Sequence, residues 1–484
     1  MVQKRLKIGA LGTVICLFIL LQLATLIPDR PLQRRVPLKE WEESSRPALE
    51  KAAKLGLLED MLVWPGLVEG VHVNGTGFDL PTDMEGAHCW KMGDCTPVAR
   101  RAMEFGNCWR KDSWLHMHEN RQCALSWLEF LEHQAVEKVD NTLSVVMSAE
   151  RKLGVAAKSN QNGGARMHFK PAWGRRTTDP VGSTDLMGYW KPCAGNLPGN
   201  AEDFRNEIAA FHLDHILGFY RTPVVVPRFF SAVNMREMFT DGKDHASALE
   251  ELIKVQSMLD RCGSNNKAGV EGAMVGWSKW GVVPLDKKHS DLKKRKLSNM
   301  VKPNKDVMLS DGTFNITRES PKAAQVLALE NVAVNMFSVL TGNRKKFSHS
   351  VFISYKRNPH GAKVYGPLLY IDNDRSNWYS NSDTLIRHTF KENHPLTEIC
   401  RFPESIALRL LALRYSPHSV GDIAKRSTDV YSEMYESPIL TQRQVDNINN
   451  LADFLTDAVE ACIHRYGVDS VLIPLELDGE DDDD

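Results

Sequence analysis

The sequence predicts an α+β protein that follows a single N-terminal transmembrane helix. Three observations support this: an uncharged apolar run near the N-terminus, a mixture of strand-like and helix-like apolar patterns after it, and an even set of cysteines downstream. The 484 residues are 42% hydrophobic, which is typical of a folded chain with a sizeable core. Lys and Arg (60) balance Asp and Glu (61), so the charge gives no reason to expect nucleic acid as a partner.

The apolar run extends from Ile8 to Ile27 without a charged residue. As a helix it covers about 30 Å, the thickness of a hydrocarbon core. The basic sequence KRLK before it favours a cytosolic N-terminus, with residues 1–7 as a cytosolic tail and residues 8–27 as a signal anchor. A cleaved signal peptide is the alternative. Its apolar core is shorter, at about 7–15 residues, and Ala24-Thr25-Leu26 is a poor cleavage site.

The cysteines indicate an oxidising compartment. Cys16 lies inside the apolar run, and the remaining eight form an even set that predicts disulfide bonds. These eight are Cys89, Cys95, Cys108, Cys123, Cys193, Cys262, Cys400 and Cys462. Zinc binding by the first four is the alternative, but their spacing fits no CxxC pattern. The connectivity of the bridges does not follow from the sequence. Glycosylation sequons at Asn74 and Asn315 fit the same lumenal placement.

The composition divides the rest of the chain into four parts. Residues 28–84 are charged and contain several prolines, which predicts a stem with some helix around Leu49–Leu62. Residues 85–150 form a Cys-containing N-terminal segment, residues 151–474 form the main lumenal domain, and residues 475–484 form a solvated acidic tail. Within the main domain, the basic run Asp286–Lys305 is interpreted as a solvated loop; attraction of acidic substrates or sulfated glycans is the alternative.

The apolar periodicity of the main domain predicts strands and helices in mixed order, with strands concentrated before a helical second half. The predicted strands are Ala165–Phe169, Val224–Phe230 and Leu368–Ile371, and the predicted helices are Glu202–Phe219, Ala323–Leu340, Ser405–Arg414 and Val445–Tyr466.

A first group of candidate functional residues precedes and enters the long helix. The turn at Gly163 and Gly164 feeds a strand followed by Lys170, which suits a loop that covers phosphates and a lysine that neutralises their charge. Glu207 on the next helix is placed to pair with such a lysine. The alternatives are a solvated strand lysine and a glutamate that stabilises the helix N-terminus. His212 and His215 are interpreted as ordinary helix residues rather than metal ligands.

A second candidate site is Asp372-Asn373-Asp374, directly after an apolar strand. Carboxylates in this position suit Mg²⁺ or Mn²⁺ bound to phosphate oxygens. Two enzyme classes use this arrangement: kinases, with ATP, and Golgi glycosyltransferases, with a sugar nucleotide. A polar turn without function is the third interpretation.

Several of these segments resemble one family. The sequence from Glu207 to Phe229, EIAAFHLDHILGFYRTPVVVPRF, is similar to the helix-strand signature of the Golgi casein kinase, xylosylkinase and four-jointed family of secretory-pathway kinases. Gly164 to Pro171 resembles the loop-and-lysine strand of that family, and Val270-Glu271-Gly272 resembles its Glu-Gly stretch. Ile371-Asp372-Asn373 resembles its metal-binding motif, and the resemblance covers roughly residues 153–415.

This resemblance implies an atypical two-lobed kinase-like fold in the Golgi lumen, on a single-pass type II membrane protein. It implies ATP with Mn²⁺ or Mg²⁺ as cofactors, with Lys170 on the phosphates, Glu207 orienting Lys170, and Asp372 on the metal. It also implies a secreted protein or a proteoglycan sugar as acceptor, and a related secretory kinase as a candidate heterodimer partner. Release of a soluble form by cleavage of the stem stays open.

One departure from the family pattern bears on catalysis. Where the family has a Gly-Asn-x-Asp-Arg loop, this chain reads Thr341-Gly342-Asn343-Arg344-Lys345, so Lys345 stands at the position of the catalytic base. A lysine is cationic near neutral pH unless it is strongly desolvated, so it does not simply replace a carboxylate. Three functions therefore stay open: an active kinase, a pseudokinase that activates a related kinase, and a glycosyltransferase.

Overall fold

The computed structural model of the chain describes most of the main domain and a helical segment before it. The described residues are 39–74, 121–133, 136–140, 165–169, 187–192, 204–241, 243–264, 267–276, 281–284, 321–343, 351–357, 363–370, 373, 376, 378, 400–432 and 438–474. Within these ranges no helix is both long and apolar enough to cross a membrane. The predicted anchor at residues 8–27, the cytosolic tail at residues 1–7 and the acidic tail at residues 475–484 lie outside the described residues.

The described elements mix helices and strands, as the sequence predicts. The helices are α1 (Lys39–Lys54), α2 (Leu57–Asn74), α3 (Arg121–His133), α4 (Phe204–Leu217), α5 (Ala232–Thr240), α6 (His245–Cys262), α7 (Pro321–Leu340), α8 (Glu404–Arg414), α9 (Val420–Asp429), α10 (Gln442–Tyr466) and α11 (Val468–Val471). The strands are β1 (Val136–Asp140), β2 (Ala165–Phe169), β3 (Met187–Pro192), β4 (Val225–Ser231), β5 (Gly263–Ser264), β6 (Lys267–Gly276), β7 (Gly281–Pro284), β8 (Val351–Arg357), β9 (Lys363–Tyr370), β10 (Phe402–Pro403) and β11 (Leu472–Ile473).

The largest sheet is antiparallel and has the strand order β1-β2-β3-β6-β4, with β5 paired to β6. A second antiparallel sheet, β7-β8-β9, follows, and β10 pairs with β11 in parallel. The predicted strand Ala165–Phe169 is confirmed, and the other predicted elements overlap the observed ones with shifts of a few residues at their ends. Strand β3 was missed by the sequence analysis.

Helix α4 lies at the centre of the fold. It packs against β4 and β6 on one side and against α2, α8 and α9 on the others. Every residue of α4 except Arg205 is buried, including both histidines. Gly218 ends the helix in the left-handed region at φ 74°. The Phe219 N–H donates to the Asp214 carbonyl (2.9 Å) and the Gly218 N–H to the His215 carbonyl (3.3 Å), which is the Schellman arrangement that a glycine favours.

The segment predicted to be a stem contains folded structure that packs on the main domain. Helix α1 contacts α8 and α10, and helix α2 contacts α4, α8 and α9. Asp60 pairs with Arg409 (2.7 Å), and Trp64 is fully buried. Residues 39–74 therefore belong to the same compact unit as the described residues of the main domain.

The prediction of disulfide bonds is confirmed where the structure describes the sulfurs. Cys400 and Cys462 form a bridge with an S–S distance of 2.02 Å between the segment before β10 and helix α10. Cys123 on α3 is also disulfide-bonded. The side chain of Cys262 and the residues Cys89, Cys95, Cys108 and Cys193 lie outside the described part of the chain.

Candidate functional site

The first turn of α4 brings a carboxylate to a lysine of the central sheet. Lys191 Nζ donates a charge-assisted hydrogen bond to Glu207 Oε1. The Glu207 side chain is only 2% exposed and that of Lys191 17% exposed, so the pair lies at the edge of the interior. Lys191 is on β3 and stands opposite Ala273 of β6. The sequence predicts a different pair, between Glu207 and Lys170.

Lys170, the predicted partner of Glu207, lies outside the described residues, as do Gly163 and Gly164. The described part of β2 ends at Phe169, and His168 pairs with Met187 at the start of β3. Lys191 is four residues further along β3, which is about 13 Å at the rise of an antiparallel strand. The sequence analysis missed Lys191 because it assigned no strand to MGYWKP; the alternation of Tyr189 and Lys191 around Trp190 was the available signal.

The backbone of β6 at Gly272 lies very close to the backbone of β3 at Lys191. A Cβ atom at Gly272 would lie 2.5 Å from the Lys191 carbonyl oxygen and 2.5 Å from Trp190 Nε1. Only glycine permits this contact without a shift of the strands. Next to it, Glu271 lies 3.9 Å from Arg205 of α4, so a second opposite-charge pair joins β6 to the same helix turn.

The same helix turn contacts the segment that carries the predicted metal site. Asn206 Nδ2 donates to the Ser376 carbonyl (2.9 Å), and the Ser376 N–H donates to the Asn373 carbonyl (2.9 Å). Asn373 is buried, and its Nδ2 donates to the Tyr370 carbonyl at the end of β9 (3.0 Å). Asp372 itself lies outside the described residues. We call residues 372–376 the Asp-Asn segment. The adjacent α4 residues Glu207 and Asn206 thus contact Lys191 of β3 and Ser376 of the Asp-Asn segment, respectively.

Two further hydrogen bonds anchor this segment to helices. Trp378 Nε1 donates to the Leu340 carbonyl at the end of α7 (2.7 Å), and Asn447 of α10 donates to the Trp378 carbonyl (2.6 Å). Gly342 (φ 60°) follows the end of α7, and the next N–H, that of Asn343, donates to the Ser338 carbonyl (3.0 Å). The loop that leads to the predicted catalytic position therefore begins beside the Asp-Asn segment. Lys345 lies beyond the last described residue of this loop.

A buried charge network lies behind the site. Arg221 forms a bidentate ion pair with Glu330 of α7, with Nε 3.1 and 3.2 Å from the two carboxylate oxygens. The Arg221 carbonyl accepts the Tyr370 N–H (2.9 Å). Asp214 accepts the backbone N–H groups of Arg221 and Thr222 at 3.1 Å each. Burial raises the pKa of Asp214 to about 7, against the opposing effect of these hydrogen bonds.

His212 and His215 are core residues. Trp64 Nε1 donates to His212 Nδ1 (3.2 Å), and the His215 ring stacks on Trp64 with 4.7 Å between centroids. Burial lowers the pKa of His212 to about 3, so the ring is neutral in the folded state. In the part of the chain that the structure describes, no group of three or more His, Cys, Asp or Glu side chains has the arrangement of a metal site.

The side chains of the two predicted glycosylation sites lie outside the described part of the chain. Asn74 is the last residue of α2, and its side chain lies outside the described part. Asn315 is also outside it.

Comparison with known proteins connects the chain to secretory-pathway kinases. No protein-family model matches the chain. The glycosaminoglycan xylosylkinase of Homo sapiens is 26% identical over 326 residues, a match that covers 64% of this chain and 70% of the xylosylkinase. The resemblance predicted from the motifs is thereby confirmed.

Three solved structures are similar to the chain at lower sequence identity. A structure of hydra Fam20 with sugar has a TM-score of 0.44 and 18% identity, and covers 75% of this chain and 98% of its own. A Golgi casein kinase structure has a TM-score of 0.43 and 15% identity, with 73% and 78% covered. A second one, with Mn/ADP bound, has a TM-score of 0.44 and 15% identity, with 76% and 85% covered. The relationship therefore rests on the sequence match to the xylosylkinase.

Proposed function

We propose that the chain is a kinase-like protein that binds ATP together with Mn²⁺ or Mg²⁺. One observation carries the proposal: adjacent residues of α4, Asn206 and Glu207, contact the Asp-Asn segment after β9 and a lysine of the central sheet. A lysine held by a helix carboxylate and a metal-binding aspartate after an apolar strand are the parts that position a nucleotide in kinases. In this fold the first turn of α4 contacts both Lys191 of β3 and Ser376.

The chemistry of the donor set fits a metal–nucleotide complex. An ammonium group neutralises phosphate oxygens, and the carboxylate of Asp372 is a ligand of the type that Mg²⁺ and Mn²⁺ prefer. Bound ATP would supply the phosphoryl group. The chain's own contribution is to orient the lysine through Glu207 and to fix the Asp-Asn segment through Asn206, Asn373 and Tyr370.

The sequence and the relative support a location and an acceptor class. The apolar run at residues 8–27 and the disulfide bonds fit a type II protein with its kinase-like domain, two-lobed in the proposal, in the Golgi lumen. The relative is named as a kinase that acts on a glycosaminoglycan xylose. We therefore propose a secreted protein or a proteoglycan sugar as acceptor.

The second candidate function is that of a pseudokinase that binds and activates a related secretory kinase. Lys345 favours it, because the position of the catalytic base carries a cation. Positioning and metal charge dominate phosphoryl transfer, so this substitution lowers activity without requiring that it disappear. An active kinase needs the nucleotide site, which the first experiment tests, whereas a partner protein without nucleotide would show no binding.

The experiment measures thermal unfolding of the full chain in detergent with and without saturating Mn²⁺-ATP. At a ligand concentration of 100 times Kd, binding stabilises the folded state by about 2.7 kcal/mol, which is a readily measured shift. We expect this shift in the wild type and its loss in Asp372→Ala. A shift with a sugar nucleotide and none with ATP would instead support a glycosyltransferase. Transfer of the γ-phosphate to a proteoglycan or protein acceptor then separates the active kinase from the pseudokinase.

A further inference from the structure

Helix α6 exposes two large apolar side chains on its outer face. Leu249 is 55% exposed and Ile253 is 64% exposed, and they are neighbours on one face because they are four residues apart. Among the exposed large apolar side chains of the described residues, only these two lie one helical turn apart. On the inner face Glu251 and Val255 are buried, and α6 contacts α5 and β6. The outer face therefore differs from that of an ordinary surface helix, which is polar.

The exposed residues of α6 repeat with the spacing of a helix–helix contact. A seam of five exposed residues, separated by three, four, three and four positions, consists of Ala246, Leu249, Ile253, Gln256 and Asp260. This is the a/d spacing by which one helix packs along another. The seam is about 21 Å long, which is the rise of fourteen helical residues. The occupant that matches this shape is a helix with apolar residues at the same spacing.

The surroundings of the seam are acidic. Helices α5 and α6, together with the turn between them, contain six acidic and four basic residues. Asp241 and Asp244 are exposed at the N-terminal end of the seam, and Asp260 is exposed at its other end. Lys243, between the two N-terminal aspartates, pairs with Glu251 at 3.6 Å. Basic residues on an occupant are therefore attracted to both ends of the seam.

A second copy of this chain fits the seam less well. One antiparallel arrangement places Leu249 of each copy opposite Ile253 of the other. Asp260 of each copy then comes beside Asp241 and Asp244 of the other, because these residues are equally far from the centre of the contact. In a parallel arrangement each aspartate faces its own counterpart. Both arrangements bring like charges together, which opposes association.

We propose that the outer face of α6 is the docking site of an amphipathic helix from another protein, with apolar residues at a/d spacing and Lys or Arg beside them. Leu249 and Ile253 are the central contacts, and the aspartates at the two ends give the preference for a basic partner. The inference does not use the proposed nucleotide site, so either of the two can fail without the other.

The test uses a fluorescent, stapled helical peptide of three heptads, with Leu at positions a and d and Lys beside them. Fluorescence anisotropy measures its binding to the full chain in detergent, and detergent without protein measures its binding to micelles. The matched probes are the same peptide with Glu in place of Lys and a scrambled peptide of equal composition. We expect the Lys peptide to bind the chain at least tenfold more tightly than either probe. Any other order of affinities, or no binding, would overturn the proposal.

Variants of the chain locate the bound peptide. Leu249→Lys/Ile253→Lys is expected to weaken binding of the Lys peptide at least tenfold, and Leu249→Ala/Ile253→Ala, which keeps the helix propensity, at least threefold. The matched control is Leu55→Lys/Val63→Lys, because these side chains are 56% and 50% exposed elsewhere on the surface; it is expected to bind as the wild type does. Thermal unfolding shows that each variant is folded. Unchanged binding by both α6 variants would place the peptide elsewhere and overturn the proposal.

Sedimentation velocity tests a second copy as the occupant. We expect the same sedimentation coefficient for the wild type and for Leu249→Lys/Ile253→Lys at micromolar concentration. Self-association of the wild type that this variant loses would assign the seam to a second copy of the chain and would overturn the proposal.

Discussion

Trp64 of α2 donates a hydrogen bond to His212 of α4 across 3.2 Å in the interior of the fold. The contact joins the segment expected to be a stem to the helix that carries Glu207. Trp64 also packs edge-to-face on Phe211, with 6.3 Å between ring centroids. Helix α2 therefore packs on the helix that carries Glu207, and the two helices belong to one folded unit.

Replacement of Trp64 measures this support. Trp64→Ala removes a fully buried indole, and we expect it to lower the free energy of unfolding by about 3–5 kcal/mol. Val63→Ala is the control, because Val63 is the preceding residue of the same helix and is 50% exposed; a change within about 0.5 kcal/mol is expected. Urea denaturation of both variants checks the prediction. Equal stability of the two variants would show that α2 does not pack on α4.

The neutral His212 makes stability depend on pH. Its pKa is about 3 in the folded state and 6.5 in an unfolded chain, so between these values only the unfolded state binds the proton. Stability is therefore fully present above pH 6.5 and falls on acidification, by about 1.4 kcal/mol per pH unit. Asp214 acts in the opposite direction between about pH 4 and 7, because burial raises its pKa.

Comparison with His212→Phe isolates the histidine, since both chains contain Asp214. At pH 7.5 the variant is expected to be less stable, because Trp64 loses its acceptor. The stability gap between wild type and variant should shrink by about 1.4 kcal/mol at pH 5.5. A gap of unchanged size at the two pH values would contradict a buried, neutral His212.

The Arg221–Glu330 ion pair provides a test of the network behind the site. Glu330→Leu leaves the Arg221 guanidinium buried without its partner, and we expect a loss of about 3–5 kcal/mol. In the double variant Arg221→Met/Glu330→Leu both charges are absent, so the double variant should be more stable than Glu330→Leu alone. Chemical denaturation of the wild type, Arg221→Met, Glu330→Leu and the double variant measures the coupling. Additive losses of the two single variants would mean that the two side chains do not interact.

The Cys400–Cys462 bridge closes a loop between residues 62 positions apart. For a loop of this length, removal of the bridge is expected to cost about 2–5 kcal/mol, chiefly because the unfolded chain gains conformational freedom. The variant Cys400→Ala/Cys462→Ala should unfold at a lower temperature than the wild type under non-reducing conditions. Reduction by dithiothreitol then removes most of the difference between the two proteins. A difference that persists in full after reduction would be due to packing of the alanines.

The sequence predicted those elements whose apolar pattern is strong. Helix α4, strand β4 and helix α7 appear within a few residues of their predicted bounds, because their burial follows the periodicity of a helix or a strand. The predicted helix around Leu49–Leu62 overlaps α1 and α2, but the full length of these helices and their packing on the main domain were not predicted. Their burial depends on α4, α8 and α10, which lie far away in the sequence.

The candidate site also depends on contacts between residues that are distant in the sequence. Glu207 was singled out from its place on the helix, but the lysine that it contacts in the structure is Lys191, not the predicted Lys170. The sequence did not identify Lys191 as a partner of Glu207, because this contact depends on which strands are neighbours and on their register. Strand β3 precedes β6 by many residues in sequence but pairs with it directly. A local sequence pattern does not predict this strand pairing. It also does not predict the hydrogen bond from Asn206 to Ser376, which are 170 positions apart.

The first turn of α4 organises the proposed nucleotide site, and the affinity for Mn²⁺-ATP tests this most directly. Isothermal titration calorimetry compares the wild type with Glu207→Gln and with the control Glu251→Gln, which breaks an ion pair of similar burial elsewhere. We predict measurable binding by the wild type and by Glu251→Gln, and at least tenfold weaker binding by Glu207→Gln. Equal affinity of all three proteins would contradict the claim, as would the absence of binding by the wild type.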